Sequence, residues 1–345
     1  MSLISTLREW DSTKSSGTEP KTLDALARSI RSWMNAWPSQ HGSVDVLRAS
    51  GMFFTCPREF ILNYWQPTPY RKFDWRSRMM MSMGEHLHHY MQNQVLGPMG
   101  VLYGDWYDPH SNTLEMAREK GLTVRGFHPD PDRAIKEVQE QWPLTWVYGE
   151  DAVWSGYWRI SGHIDGLIDK TRLDVIRDAL KMRGVKPFDV WREVLKVPPS
   201  DLMLFELKTT SKYLLDKLKS ADDIADYYKM QAAIYQRLSD TPTTLFWFVE
   251  RDSMAAMPLI YRYDRGWWSD AKRKAKVIWT GVRDETLPDA GVCKTPMDTR
   301  AKKCVFREQC FGKRFKMCNW IKKGREDESR EFLNLTKWDA DTEDA

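Results

Sequence analysis

A mixed α/β domain carrying additions at both ends is the fold class that this 345-residue sequence predicts. Three observations lead there. The chain is long enough to bury a core of its own, which excludes small disulfide scaffolds. Its apolar and charged shares, 42% and 29%, belong to an ordinary globular protein rather than a disordered or fibrous one. Along it, segments of helical period alternate with short runs rich in β-branched and aromatic residues, in the order helix, three strands, helix, strands.

Each element has its own signal. Residues 11–20 (DSTKSSGTEP) are polar and turn-rich and read as a flexible lead-in, and 22–36 follow as an amphipathic helix, so that 1–50 form an N-terminal helical extension. Helices are expected over 57–65 and 78–95, separated by Pro67 and Pro69, with Met80, Met83, Leu87 and Met91 marking the buried face of the second. The stretch 97–143, rich in Gly, Pro and Asp, reads as irregular. Residues 144–169 read as two extended segments with a hairpin turning near Gly156, and 202–209 as a further strand. Between them, 170–201 has helical spacing and looks like an insertion in a hairpin. A helix over 222–238, strands over 243–250 and 257–263 and a basic helix over 267–283 complete the order.

No run of 18 apolar residues occurs, and the N-terminus lacks the basic start and apolar stretch of a secretion signal, so the expectation is a cytoplasmic protein without membrane association. The net charge of +4 hides an uneven distribution. Eight acids against two bases give residues 326–345 a charge of −6, which leaves +10 for the rest. Residues 294–325 hold eleven Lys or Arg against Asp298 and Glu308. A basic body implies a polyanionic partner, and seventeen Trp interleaved with bases suit stacking on unpaired nucleobases, although most of them are expected in the core. The acidic tail, which bears Trp338, is expected to be solvated and is a candidate to compete with DNA or bind a protein partner.

The sharpest local pattern is Phe205-Glu206-Leu207-Lys208. On a strand Glu206 and Lys208 share one face while Phe205 and Leu207 enter the core. Exposed strands carry such pairs constantly, and the neighbours give this one weight. Asp165 ends a strand expected to pair with 202–209, and two adjacent acids repel unless a cation lies between them, as magnesium or manganese would. His88, one turn after Gly84 in Gly84-Glu85-His86-Leu87-His88, could add an imidazole, the glycine permitting close approach of another element. Gln231 and Tyr235 stand four apart on one helix face, where an amide and a phenol could contact phosphate, sugar or a base edge.

Five cysteines, Cys56, Cys293, Cys304, Cys310 and Cys318, argue against a disulfide framework in this compartment and for thiols with a task. Four cluster within 26 residues, which suggests coordination of a soft metal, an iron–sulfur cluster or zinc.

Taken in order, CPREFILNYW (56–65), GEHLHH (84–89), GHIDGLID (162–169), FELKTTS (205–211) and QAAIYQ (231–236) resemble the motif series of the PD-(D/E)XK nuclease superfamily. More narrowly they are similar to its RecB-type branch with an iron–sulfur cluster, which includes CRISPR-associated iron–sulfur exonucleases and bacteriophage exonucleases. The resemblance implies a restriction-endonuclease-like core, a central mixed sheet flanked by helices, spanning 51–320 with the 170–201 insertion, a cysteine cluster over 293–318 and the acidic tail over 321–345. It implies that His88, Asp165 and Glu206 bind Mg²⁺ or Mn²⁺, that Lys208 orients or activates the attacking water, and that Gln231 and Tyr235 position DNA. It also implies a [4Fe–4S] cluster on Cys56, Cys304, Cys310 and a fourth thiol, Cys293 in preference to Cys318; the family's usual place for that ligand is occupied by Ala301, and zinc stays open as the alternative. The expected activity is that of a metal-dependent deoxyribonuclease, an exonuclease acting on DNA with single-stranded ends in recombination, repair or replication, in a bacterial cytoplasm or that of a phage host. The rival is a catalytically inactive DNA-binding or recombination adaptor on the same fold, against which the intact set His88, Asp165, Glu206 and Lys208 argues.

Overall fold

The computed structural model describes residues 45–65, 75–111, 113–182, 202–221, 223–289 and 292–311. The expected helix over 22–36, Pro67 and Pro69, residues 183–201 of the 170–201 insertion, Cys318 and the acidic tail lie outside them. The elements, in chain order, are β1 (Leu47–Arg48), α1 (Pro57–Trp65), α2 (Trp75–Tyr90) continuing into a π-helical turn (Met91–Leu96), β2 (Leu102–Tyr107), α3 (Leu114–Glu119), β3 (Thr123–Gly126), α4 (Pro131–Gln139), β4 (Val147–Gly149), β5 (Asp151–Ser155), β6 (Ile160–Ile164), β7 (Gly166–Asp169), α5 (Lys170–Met182), β8 (Leu202–Thr210), α6 (Lys212–Ala221), α7 (Asp226–Leu238), β9 (Thr243–Glu250), β10 (Ala256–Arg262), α8 (Arg265–Arg283), α9 (Thr299–Lys303) and α10 (Arg307–Phe311).

A seven-stranded mixed sheet runs β10-β9-β8-β7-β2-β3, with β4 also paired to β2; a smaller sheet has the order β1-β6-β5. Among the described residues of the large sheet only β8 and β9 are parallel, joined by a crossover through α6 and α7. Its central strand β8 is buried on both faces, and its alternation sorts the side chains. Met203, Phe205 and Leu207 enter a core with Trp106, Ile168 and Leu245, packed under Leu87 and Met91 of the α2 region and Leu173 of α5. Leu204 enters the opposite core with Ile61 of α1, Ile234 of α7 and Ala275 and Trp279 of α8. Glu206 and Lys208 share the parity of Leu204. Helix α8 earns its place there by apolar residues three or four apart, Trp268, Ala271, Ala275, Ile278, Trp279 and Val282, with Arg273 and Lys276 exposed, Lys274 turned to the carbonyls of Met52 and Phe53, and Asp264 capping its start. Trp65, Trp106, Trp158, Trp268 and Trp279 are core residues, whereas Trp142 and Trp154 are exposed.

Several expectations are corrected. The stretch 97–143 is not irregular: it contains β2, α3, β3 and α4. These elements are short, and what specifies them is local capping rather than a long apolar period. Thr113 accepts the N–H of Met116 to start α3, and Asp130 accepts that of Arg133 ahead of Pro131 to start α4. The expected strand ending in Asp165 is two strands: β6 belongs to the small sheet, the chain bends at Asp165, and β7 alone pairs with β8, Gly166 opposite Phe205. On α2, Met80 and Met83 are exposed; only Leu87 and Met91 of the four expected apolar positions pack on the core.

Gly84 does not serve close approach. A Cβ there would stand 3.9 Å from Thr209 Oγ1, an ordinary contact. Gly162, by contrast, is tight, since a Cβ there would collide with the Tyr235 ring. Urea unfolding should therefore separate the two glycines: Gly162→Ala is expected to cost about 1–3 kcal/mol by overpacking, and Gly84→Ala to gain up to about 1 kcal/mol from helix propensity.

The buried ring of His128 lies edge-on to Trp106, centroids 4.6 Å apart, and its Nδ1 accepts the N–H of Asp130 at 3.1 Å. Burial holds its pKa below the ordinary imidazole value, although Asp130 and Glu137 pull the other way. The folded chain therefore takes up this proton less readily than the unfolded one. The stability contributed by the neutral ring is complete above about pH 6.5 and is lost as pH falls through the lower folded value. Melting temperature should fall on acidification from about pH 7 to about pH 5, and fall less steeply in His128→Gln.

Candidate metal centre

Four elements converge beside the central strand. The last turns of α2 supply His88, the β4–β5 junction supplies Glu150, the bend between β6 and β7 supplies Asp165, and β8 supplies Glu206 and Lys208. His88 Nδ1 lies 3.2 Å from Asp165 Oδ1 and 3.9 Å from Glu150 Oε1. One ligand atom from each of His88, Glu150 and Asp165 falls within 4.8 Å of the others, the spacing of donors around one cation. Asp165 Oδ2 accepts the backbone N–H of Leu207 at 2.7 Å, which ties the bend to β8.

The sequence-derived residues are thus brought together with one change of role and one addition. Glu206 is not among the three nearest donors. Its Oε2 takes the Lys208 ammonium at 2.5 Å and the Gln231 amide at 3.3 Å, while its fully buried Oε1 has no hydrogen-bond partner. The addition is Glu150. Its signal was present in the hairpin register: Asp151 pairs with Ile164, so the next position outward on each strand sets Glu150 opposite Asp165. Gln231 and Tyr235 share one face of α7, but both are buried, Gln231 turned to Glu206 and Tyr235 packed against Gly162. They stand behind the carboxylates rather than on an open surface.

Electrostatics follow from crowding charge into a buried place. Burial, the neighbouring Asp165 charge adding to it, pushes the Glu206 carboxyl up to about 8 against the pull of Lys208. Burial would raise Asp165 too, yet the Lys208 charge and the His88 hydrogen bond outweigh it and hold Asp165 below the usual carboxylate range. For Lys208 burial is the largest effect and disfavours the ammonium, but Glu206 and Asp165 together raise its pKa, so it is a fixed cation at neutral pH. Burial likewise opposes protonation of His88, and Asp165 reverses the sign.

The residues fit a hard divalent ion on chemistry as well as distance: one imidazole nitrogen, two carboxylates and an unpartnered buried carboxylate oxygen next to them.

A second group of ligating side chains lies at the far end of α1. Cys56, Cys293, Cys304 and Cys310 line one small cavity with Glu59, Arg300 and Ala301, and all four thiols are unbridged. Cys293 thus reaches the same cavity as Ala301. Arg58 ties this region together, donating to the carbonyls of Pro288 (2.7 Å), Asp289 (2.7 Å) and Cys310 (3.1 Å), and Arg300 pairs with Glu59 at 3.1 Å.

No protein-family model matches the chain, and no curated protein matches it. Among solved structures it is similar to SSO0001, at 13% identity and a TM-score of 0.35, over 85% of this chain and 96% of that one. It is also similar to an alkaline exonuclease (LHK-Exo) from Laribacter hongkongensis, at 10% identity and a TM-score of 0.28, over 70% of this chain and 90% of that one. The same exonuclease in complex with dAMP gives 9% identity and a TM-score of 0.27 over the same shares. Likenesses this remote carry no weight for the chemistry, which stands on the geometry of the site. No helix among the described residues is long and apolar enough to cross a membrane.

Proposed function

We propose that the chain is a metal-dependent deoxyribonuclease of the PD-(D/E)XK type, hydrolysing phosphodiesters from DNA ends. The observation that carries this reading is the meeting of His88, Glu150 and Asp165 within 4.8 Å, beside a Glu206–Lys208 pair on the adjoining strand. Magnesium or manganese held by His88, Glu150 and Asp165, with Glu206 at its edge, would supply an activated water and neutralise charge on the phosphoryl group. Lys208, cationic at neutral pH, donates to phosphate oxygens and sets positive charge where negative charge grows; in that state it is an electrostatic and orienting group rather than a base. Gln231 holds Glu206 from behind and so acts on DNA through that carboxylate, and Tyr235 fills the space that Gly162 leaves on β6. The uneven basic charge of the chain suits a polyanionic substrate.

The same reading assigns Cys56, Cys293, Cys304 and Cys310 to a [4Fe–4S] cluster that fastens the C-terminal segment to α1. Four unbridged thiols on one cavity are the donor set such a cluster takes, and one that zinc also takes. Hydrolysis needs no redox step from it.

The test is product analysis on end-labelled single- and double-stranded DNA with Mn²⁺, wild type against Glu206→Gln. Nucleotides released from ends by the wild type alone support the proposal. Tight binding without degradation by the wild type overturns it in favour of a DNA-binding adaptor.

A further inference from the structure

Three residues after His88, helix α2 widens into the π-helical turn Met91–Leu96, which turns two polar side chains, Gln92 and Asn93, into the interior. Such turns are rare inside α-helices and recur where a helix must aim a functional group. Both amides are spent on cross-links. Asn93 accepts the N–H of Tyr148 on β4 at 2.6 Å and donates to the carbonyl of His89 at 3.0 Å. Gln92 uses both hydrogens of its Nε2, one to Glu150 Oε1 at 3.0 Å and one to the carbonyl of Asp165 at 2.8 Å.

The arrangement matters because the three nearest donors come from separate pieces of chain. Hairpin register sets Glu150 across from Asp165, but both lie past the last paired residues, Asp151 and Ile164. The Glu150 side chain is 36% exposed, free to swing to solvent unless something holds it. Beside His88 itself, Gln92 bridges the two acids: it hydrogen-bonds both the Glu150 carboxylate and the carbonyl at the Asp165 bend, from a position four residues after His88 and therefore one turn along the same helix. We infer that Gln92 is the positioning residue of this centre: its amide fixes the Glu150 carboxylate and the Asp165 backbone relative to His88, and thereby sets the affinity for the divalent ion. This rests on the metal-site reading above. Hydrogen bonds of this kind behind ligands typically govern affinity by about 10–100-fold.

The test is calorimetric titration of Mn²⁺ into the full chain, together with melting of the metal-free protein. Gln92→Met keeps size and removes both donors; it is expected to weaken Mn²⁺ binding by about 10–100-fold. Asn93→Ser cuts the other cross-link of the same turn without touching a ligand, and is expected to lower melting temperature while leaving Mn²⁺ affinity within about twofold. Since Gln92 acts largely through Glu150, Glu150→Gln combined with Gln92→Met should lose less than the product of the two single losses. Should Gln92→Met not fold, Gln92→Asn, which withdraws the amide by one methylene, is expected to show the same loss. Unchanged affinity in a folded Gln92 variant, equal losses in the Gln92 and Asn93 variants, or multiplying losses in the double variant overturn the assignment while wild-type binding leaves the metal centre standing. A wild type that binds no Mn²⁺ overturns both.

Discussion

Asp165→Asn is expected to abolish metal-dependent hydrolysis while leaving a folded protein. The side chain is nearly isosteric, and its oxygen can still accept the Leu207 N–H that ties the bend to β8. What disappears is the charge at the meeting point of His88, Glu150 and Lys208. A metal worth several kcal/mol of charge stabilisation, with tenfold in rate for each 1.4 kcal/mol, puts the loss at about 10³-fold or more. Thermodynamics supplies a readout independent of turnover. Mn²⁺ at a hundred times its dissociation constant should stabilise the wild type by about 2.7 kcal/mol, or about 4–5 °C for a domain of this size. Asp165→Asn should show no such gain and should still bind DNA. A variant that keeps both the Mn²⁺-induced rise and the activity would remove Asp165 from the centre. Binding should also strengthen with pH, because the ion must displace the proton that Asp165 favours on His88.

How far the residues alone foretold this site depends on the length and regularity of the elements that build it. β8 was legible because alternation in LMLFELKTT assigns Phe205 and Leu207 to one core and Glu206 and Lys208 to the opposite face, and the structure keeps that parity. The hairpin around Gly156 and the strands after α7 were legible as short runs rich in β-branched and aromatic residues, and helix α8 by its period of about 3.6. β2 was not. In LYGDWY the inward positions are Leu102, Gly104 and Trp106, and the Gly-Asp pair at its centre imitates a turn; Asp105 is in fact held by Arg118 and Arg125, contacts made only once the chain has folded. Helix α2 misled in another way, since Met80 and Met83 follow the apolar spacing yet remain exposed. Glu150 escaped because it belongs to no local motif. Its role is a product of strand register, which fixes partners from a turn that sequence locates only approximately. The burial of Gln231 and Tyr235 was equally beyond reach, for a shared helix face does not say what the face meets.

Loss of a single C-terminal thiol should have the second large effect, and on stability before activity. The segment 292–311 contains α9 and α10, each of five residues, far too short to persist as isolated helices, and α10 buries no residue. Among the described residues its ties to the body are few: Phe306 and Ala301 pack inward, Arg58 donates to the Cys310 carbonyl, and Arg300 meets Glu59 on a half-exposed surface where an ion pair contributes little. The cavity shared by Cys56 and the three C-terminal thiols is therefore the place where a strong link is needed. A metal there would close a loop of more than two hundred residues, from Cys56 to Cys293, and so would restrict the unfolded chain as a long-range cross-link does. Cys304→Ser is expected to cost about 2–5 kcal/mol, the range for removing a native cross-link. It should also discharge any brown colour and open 292–311 to proteolysis, while the His88–Glu150–Asp165 cluster, built by other elements, still binds Mn²⁺. A colourless wild type with one zinc per chain would exchange the cluster for zinc and keep the fastening argument intact. A wild type carrying neither metal, and no more stable than Cys304→Ser, would leave the four thiols as core residues and hand the task of holding the segment to Arg58 and Phe306.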